Sequence, residues 1–392
     1  MIISSSPCMP KETFHCGNAI SSIVADIISR YNKIWKGESE SYSVLLPWNL
    51  HGLPYEKMFF ERYGYVGDYI AIRDFAIEYV GVAEQQAQYF LGAPQNIFPH
   101  CDTDNSFLEF TQECFLKLIE KKYIVLYNGD WFIDTNSLLK RYNIDLELKA
   151  IQCYPNYRLS SIIHQKNTFD GLYPISKKRI FTAVVCYKGD TITVNPIFQS
   201  FIYTTYLAMC FHERSVAFQI GGAGFSMLKW QYFRQLISLA LTGHISVDNL
   251  VLHGTILGSD GKPMSKHRNN TLQPSEIYEE FKDKNLVRYT LIRSISNNDI
   301  PIQIEKSVNE FKRIFPKLQQ IEMGILKPIK NGSEYLLSEV IIYLSGSKFS
   351  AALETYYRYL KEVILSENGD ADILNMIKKI NNIFFVENFN KR

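Results

Sequence analysis

Residues 254–270 read GTILGSDGKPMSKHRNN, which sets Lys262, Ser265, Lys266, His267 and Arg268 in one short stretch after an apolar run. Ammonium, guanidinium and hydroxyl groups crowded into a loop suit a polyanion, because each donates charge-assisted hydrogen bonds to phosphate oxygens. The same composition also makes an ordinary solvated connection, so the loop alone leaves both readings open. A second anion-type feature lies near the start, where SSPCMPKETFHCGNA brings His15, Gly17 and Asn18 to the entrance of a helix. Such an entrance offers free backbone N–H groups and the positive end of the helix dipole, and Gly17 there allows close approach of a nucleotide. An ordinary helix start uses the same residue types.

These residues need a scaffold, and the chain is large enough to provide one. Its 392 residues, 46% of them hydrophobic, suffice for a large core and for two or three domains. Ile20, Ile23, Val24, Ile27, Ile28 and Tyr31 recur at helical spacing, so a helix is expected from just after Gly17. SYSVLLPW reads as a buried strand, and residues 66–125 as two helical pieces separated by the loop-like LGAPQNIFPHCDTDNS. Strands are expected at RIFTAVVCY, SVAFQIGG and NLVLHGTILG, with the helical MLKWQYFRQLISLALTGH between the last two. Strand, helix, strand in that order implies a parallel crossover, and parallel sheets bind ligands at the carboxyl ends of their strands. From about 274 the chain reads as helices only, a small helical domain joined to an α/β body.

Composition narrows the function classes. With 42 basic and 40 acidic residues the formal charge is +2, so no global positive field announces a nucleic acid. The seven cysteines include no Cys-x-x-Cys pair and read as reduced thiols of a cytoplasmic protein. Neither an export signal nor a membrane-spanning apolar run is expected. His100, Cys101, Asp102 and Asp104 lack a second cluster at ligand spacing, so no metal site is expected there. Tyr356, Tyr357, Tyr359, Phe384 and Phe385 read as helix core rather than as a platform for stacked bases.

Taken in order, several motifs resemble one family. HCGN stands where class I aminoacyl-tRNA synthetases have His-Ile-Gly-His, and PMSKH where they have Lys-Met-Ser-Lys-Ser. PWNLHGLPYE resembles Gly-Trp-Asp-x-x-Gly-Leu-Pro-x-Glu, YPISKKRIF resembles Trp-x-Ile-Ser-Arg-Gln-Arg-x-Trp, and MSKHRNNTLQPSEI resembles Met-Ser-Lys-Ser-Arg-Gly-Asn-x-x-x-Pro-x-Glu-Ile. FQIGGAGFSMLKWQYFRQ is most similar to the leucyl branch of the leucyl, isoleucyl and valyl group, and the likeness covers about residues 5–295.

The resemblance implies an α/β protein, a split Rossmann parallel sheet with a helical insertion and an all-α C-terminal domain. Its expected divisions are 1–60 and 171–260 for the two Rossmann halves, 61–170 for the insertion, 261–300 for the loop and stem-contact helices, and 301–392 for the tail. It also implies use of ATP with Mg²⁺ to make an acyl adenylate and pyrophosphate. Lys266 is then expected to stabilise phosphate charge, assisted by Ser265 and the Met264 amide, with His15 and Asn18 donating from the opposite side. Gly17, Lys262, Gly221 and Gly222 would meet the nucleotide. Met9, Pro10, Trp48, Asn49, His51, Glu56 and Phe225 would meet the acid.

Departures from the family pattern matter as much. The loop's first lysine is Pro263 here, with Lys262 one position earlier; the last serine is His267, and the second histidine of the first motif is Asn18. Gly224-Phe225 replaces a Glu-His expected near the ribose. Asn49 stands where the family's aspartate pairs with the substrate's α-ammonium, and an unpaired buried ammonium costs several kcal/mol, on the order of a lost buried ion pair. Either Glu56 or Glu12 substitutes, or the acid lacks an ordinary α-ammonium. Residues 57–129 are too few for a hydrolytic editing domain. The expectation is an adenylate-forming ligase outside ordinary translation, delivering its acyl group to a small amine or to tRNA. Two alternatives stay open, a genuine tRNA-charging enzyme and a noncatalytic synthetase-like regulator. The acid, the acceptor and the oligomeric state are not legible.

Overall fold

The computed structural model describes residues 2–5, 15–37, 43–45, 47–91, 102–165, 171–222, 225–258, 260–264, 268 and 270–386. They form two compact units: residues 1–12, 45–83 and 96–252 make the first, and residues 13–44, 84–95 and 253–392 the second.

The first unit is built on a parallel sheet. Strand Ile2–Ser5 pairs in parallel with Val216–Gly222, Ile3 opposite Phe218 and Ser5 opposite Ile220. Val247–His253 follows in the sheet order and pairs in parallel with Gln152–Tyr154, Leu250 opposite Cys153. All four residues of Ile2–Ser5 are buried, as expected for a strand covered on both faces. Helix Phe225–Thr242 makes the crossover between Val216–Gly222 and Val247–His253, as the strand-helix-strand pattern required. Helix Pro196–Cys210 packs beside it, with Phe201 and Phe233 edge to face at 4.5 Å. Asn195 caps that helix through Ile197 N–H at 3.2 Å, and Pro196 takes the first-turn position that needs no amide hydrogen.

The two helical pieces expected over 66–125 are Tyr69–Leu91 and Asn105–Glu120, the second capped by Asp104 through Ser106 N–H at 2.8 Å. The strand read in RIFTAVVCY is Val184–Tyr187, which pairs antiparallel with Asp190–Thr193 in a hairpin outside the parallel sheet. Lys188 and Gly189 turn that hairpin with φ of 53° and 88°, the left-handed pair that matches the twist of its strands.

In the second unit, helix Cys16–Trp35 packs against Lys284–Arg293 and Ala371–Phe384. Asp26, fully buried, is the link. It takes the Arg30 guanidinium at 2.8 Å and the buried Arg288 guanidinium at 2.5 Å. Arg288 also donates to the Phe384 carbonyl at 2.6 Å, and Arg30 to the Asn382 carbonyl at 3.1 Å. Burial pulls the Arg288 pKa down to about 10, against the pull of Asp26, so the guanidinium stays charged at neutral pH.

The reading of helices only after 274 needs correction. Ile300–Pro301 pairs with Ile256–Leu257, and Lys327–Pro328 pairs with Leu365–Ser366. These two-residue ladders are too short to carry a period. Tyr356, Tyr357, Tyr359, Phe384 and Phe385 are all buried, with Tyr356 stacked on Phe384, so they are core.

Removing Asp26 leaves a buried guanidinium without its counter-charge. Asp26→Ala is expected to destabilise the second unit by about 3–5 kcal/mol, read as a lower urea midpoint for the transition that exposes it. An unchanged midpoint would show that Asp26 does not hold these helices together.

Candidate active site

In the second unit, His15 precedes the first helix with extended backbone angles (φ −82°, ψ 161°) and its carbonyl accepts from Asn18 N–H at 2.9 Å. Cys16 N–H, which has no partner within its own helix, donates to the Leu272 carbonyl at 2.8 Å. The helix mouth is thereby pinned to the segment that leaves the MSK loop. A Cβ on Gly17 would lie 3.0 Å from Cε1 and Nδ1 of the His15 ring, so a side chain there would press the imidazole away from the first turn. The close approach at Gly17 is therefore intramolecular before any ligand is considered. Further along, Ser21 Oγ meets His253 Nε2 at 2.8 Å while His253 Nδ1 donates to the Gly254 carbonyl at 2.9 Å. Burial lowers the His253 pKa, and a neutral ring with its proton on Nδ1 fits both contacts.

The loop's base is a closed ring of hydrogen bonds. Gly258 N–H donates to the Lys262 carbonyl at 2.8 Å, and Lys262 N–H donates to Asp260 Oδ1 at 3.0 Å. Buried Asn270 donates to Asp260 Oδ1 at 2.7 Å and to the Pro263 carbonyl at 3.2 Å, and its hydrogen bond lowers the Asp260 pKa. A Cβ on Gly258 would sit 2.4 Å from the Asn270 carbonyl oxygen, so this crossing tolerates only glycine. The side chains of Lys262 and Arg268 are exposed, and Met264 is half-buried. Ser265, Lys266 and His267 lie outside the described residues.

In the first unit, Asn49 lines a small cavity, partly open to solvent, together with Asp102, Phe107, Pro196, Gln199, Ser200 and Tyr203. Trp48 beside it is buried. His51 is held on every side: Nδ1 donates to Gln199 Oε1 at 2.7 Å, Nε2 accepts from the Tyr69 hydroxyl at 3.0 Å, and Phe181 stands edge-on to the ring at 5.0 Å. Burial lowers the His51 pKa and pushes the Tyr69 hydroxyl up to about 12, so both are neutral at physiological pH. Both ring nitrogens of His51 are engaged within the protein.

Glu56 Oε1 accepts from Ile180 N–H at 3.1 Å and Phe181 N–H at 3.0 Å, which fixes the segment carrying Phe181. Gly221 and Gly222 end their strand, and Phe225 opens the next helix. Met9, Pro10, Glu12, His100, Cys101 and Gly224 lie outside the described residues. Among the described residues no group of three His, Cys, Asp or Glu is placed to hold a metal ion, and no helix is long and apolar enough to cross a membrane.

Two residues of the cavity carry more than their sequence context suggested. Asp102 Oδ2 accepts from Leu50 N–H at 2.6 Å and His51 N–H at 2.7 Å. Gln199 Nε2 donates to the Asp102 carbonyl at 3.3 Å. Burial raises the Asp102 pKa, with the two amide hydrogen bonds opposing it. Neither residue belongs to a motif. Asp102 drew notice only as a neighbour of His100 and Cys101.

Residues 213–303 match the family described as tRNA synthetases class I (I, L, M and V). The valine-tRNA ligase of Sulfurisphaera tokodaii is 26% identical over 189 residues, covering 48% of this chain and 21% of that ligase. That of Methanothermobacter thermautotrophicus is 32% identical over 149 residues, covering 33% and 16%. The isoleucine-tRNA ligase of Wigglesworthia glossinidia brevipalpis is 28% identical over 163 residues, covering 41% and 15%. The matches thus span about a fifth or less of these curated relatives. Across the whole fold, the methionyl-tRNA synthetase of Mycobacterium tuberculosis, solved bound by methionyl-adenylate, aligns with a TM-score of 0.70 at 15% identity, over 97% of this chain and 88% of that one. Residues 213–303 thus match a domain of the class I tRNA synthetases (I, L, M and V), and stretches of the chain are similar in sequence to valine- and isoleucine-tRNA ligases.

Proposed function

We propose that this chain activates an amino acid or related carboxylic acid with ATP, and passes the acyl group to a small amine or to the 3′ end of a tRNA. The observation that carries this is the bond from Cys16 N–H to the Leu272 carbonyl at 2.8 Å, which holds the mouth of the first helix against the exit of the basic loop. A triphosphate suits that neighbourhood: a helix entrance with half-buried His15 and Asn18, and exposed Lys262 and Arg268 on a braced loop. Mg²⁺ enters with the nucleotide, on its phosphate oxygens.

In the proposed reaction a carboxylate oxygen of the acid attacks the α-phosphorus in line. The new O–P bond forms as the bond to the oxygen bridging the α- and β-phosphates breaks, and pyrophosphate leaves with that electron pair. No covalent enzyme intermediate is needed, so catalysis is positioning plus stabilisation of charge on the phosphate oxygens. Lys266 is assigned that charge, with Ser265 and the Met264 amide beside it, and His15 and Asn18 as further donors. Lys262 takes over from the lysine that Pro263 replaces. Gly221 and Gly222, at the carboxyl end of a parallel strand, are assigned to the nucleotide on the family resemblance. In the first unit, Trp48, Asn49, Phe225, Met9 and Pro10 are assigned to the acid, with His51 and Glu56 bracing the walls.

A second reading, ordinary charging of tRNA, is favoured by the relatives, which are named as tRNA ligases. The short chain between HGLPYE and DWFIDTN, with no room for editing, favours a role outside translation. Aminoacylation of total tRNA at useful rates would decide for charging over a small-amine acceptor.

Pyrophosphate exchange across a panel of amino acids, β-amino acids and deaminated acids tests the activation step. Exchange with at least one is expected; none, together with failure to bind ATP, would favour a noncatalytic regulator. Lys266→Ala is expected to cut exchange by about a hundred-fold or more, the effect of losing one donor to a developing oxyanion, without shifting the melting temperature. Intact exchange in that variant would overturn the role given to Lys266. Gly17→Ala should displace the His15 ring and lower exchange about ten-fold or more, since small misplacements of catalytic groups are costly; unaltered exchange would remove His15 from the machinery.

A further inference from the structure

Asp102 is 3% exposed and lines the cavity beside Asn49. Its Oδ2 is saturated by Leu50 N–H and His51 N–H, yet Oδ1 has no hydrogen-bond partner among the described residues and is shut off from solvent. A buried acceptor in that state is costly, and more so if charged. Among the described residues nothing repairs it: no lysine or arginine lines the cavity, His51 is neutral with both nitrogens spent, and the Gln199 amide nitrogen goes to the Asp102 backbone. For the charged carboxylate, a partner that brings both hydrogens and positive charge answers the deficit. A divalent cation would ask for several oxygen ligands, and among the described residues no second carboxylate lines the cavity. A primary ammonium needs less: one carboxylate oxygen, amide acceptors such as Asn49 and Gln199, and aromatic walls such as Phe107 and Tyr203.

We propose that Asp102 is the counter-charge for a primary ammonium on the acid this chain activates, in the cavity that Asn49 and Gln199 complete. This rests on the activation reading above. The charge absent at position 49 is supplied from position 102, and it is anchored on the backbone N–H groups of Leu50 and His51, next to Asn49 in the chain. Glu56, the carboxylate near this segment in sequence, instead holds Ile180 and Phe181 through Oε1. The substrate is accordingly an amino acid rather than a deaminated one.

The test is calorimetric binding by the full chain of the twenty standard L-amino acids and β-alanine, each against its deaminated counterpart, with ATP binding and pyrophosphate exchange followed separately. Wild type is expected to prefer at least one amino acid over its deaminated form by about 30-fold or more, the effect of a desolvated charge pair. In Asp102→Asn that preference should fall to about three-fold or less, while ATP binding persists. The double variant Asn49→Asp/Asp102→Asn should restore it. A purely structural Asp102 would make Asp102→Asn less stable; relief of a buried, unpaired carboxylate instead predicts an unchanged or higher melting temperature at pH 8. Asp102→Asn that folds and keeps the full preference would overturn the proposal, as would a wild type that binds none of the amino acids. Exchange without any preference for the ammonium sinks the Asp102 site and leaves activation standing. An Asp102-dependent preference without exchange does the reverse.

Discussion

The placement of the first helix rests on a carboxylate with no access to water. Asp26 is buried with Arg288, and between them Arg288 and Arg30 reach the carbonyls that close the last helix. Buried ion pairs stabilise little relative to an apolar core, but they are unforgiving of misplacement, because a shifted partner leaves a charge uncompensated. The first helix is thus fixed in rotation by Asp26 and along its length by Cys16 N–H on the Leu272 carbonyl. Only a helix fixed in both senses can offer its opening turn to an anion at a constant position, and Gly17 adds the His15 imidazole to that turn. The loop obeys the same logic. Asn270 binds Asp260 and the Pro263 carbonyl together, which gives the loop a defined base.

The cavity of the first unit inverts this economy. Where the second unit pairs buried Asp26 with Arg288 and Arg30, the first leaves Asp102 Oδ1 unpaired among the described residues and spends two backbone amides, a glutamine and a histidine-tyrosine chain on holding it still. Each member of that chain has one role. The Tyr69 hydroxyl donates to His51, His51 donates to Gln199, and Gln199 donates to the Asp102 backbone. All are uncharged, which burial enforces, so the carboxylate is the only group of the network able to carry charge. Networks of this kind rigidify when satisfied, and an unsatisfied terminus marks where an external group completes them.

How far this was legible follows from the scale of each signal. The crossover SVAFQIGG, MLKWQYFRQLISLALTGH, NLVLHGTILG was read correctly because a seven-residue strand and an eighteen-residue helix each hold enough period to declare themselves. Gln152–Tyr154, a full member of the parallel sheet, passed unread because three residues hold no period at all. The loop and helix mouth were found through their spacing and the family resemblance, which also singled out Asn49 as an anomaly. Asp102 was not found as its complement. Its importance comes from a contact to Leu50 and His51 across some fifty positions of sequence, a contact no local pattern encodes. The packing of the His15 ring beside Gly17 was likewise not legible, since spacing does not say where a side chain two residues away folds.

On the proposed activation, with only residues 57–129 between the two motifs, selectivity would rest on the first encounter with the acid. A hydrophobic wall separates neighbours by one methylene with only about 1–3 kcal/mol, so Phe107 and Tyr203 make a coarse sieve. A buried polar group left unpaired by the wrong ligand discriminates far better, by about four to five orders of magnitude when the site is built around one hydrogen-bonding group. With Asp102 as that group, selection falls on whether the acid carries an ammonium and only weakly on the length of its side chain. Such a site would disfavour the keto and hydroxy analogues of an amino acid and would tolerate its close homologues. That tolerance is affordable when the acceptor is a dedicated amine and ruinous when the product enters a ribosome, which makes the charge geometry of this cavity a reason of its own for looking beyond translation.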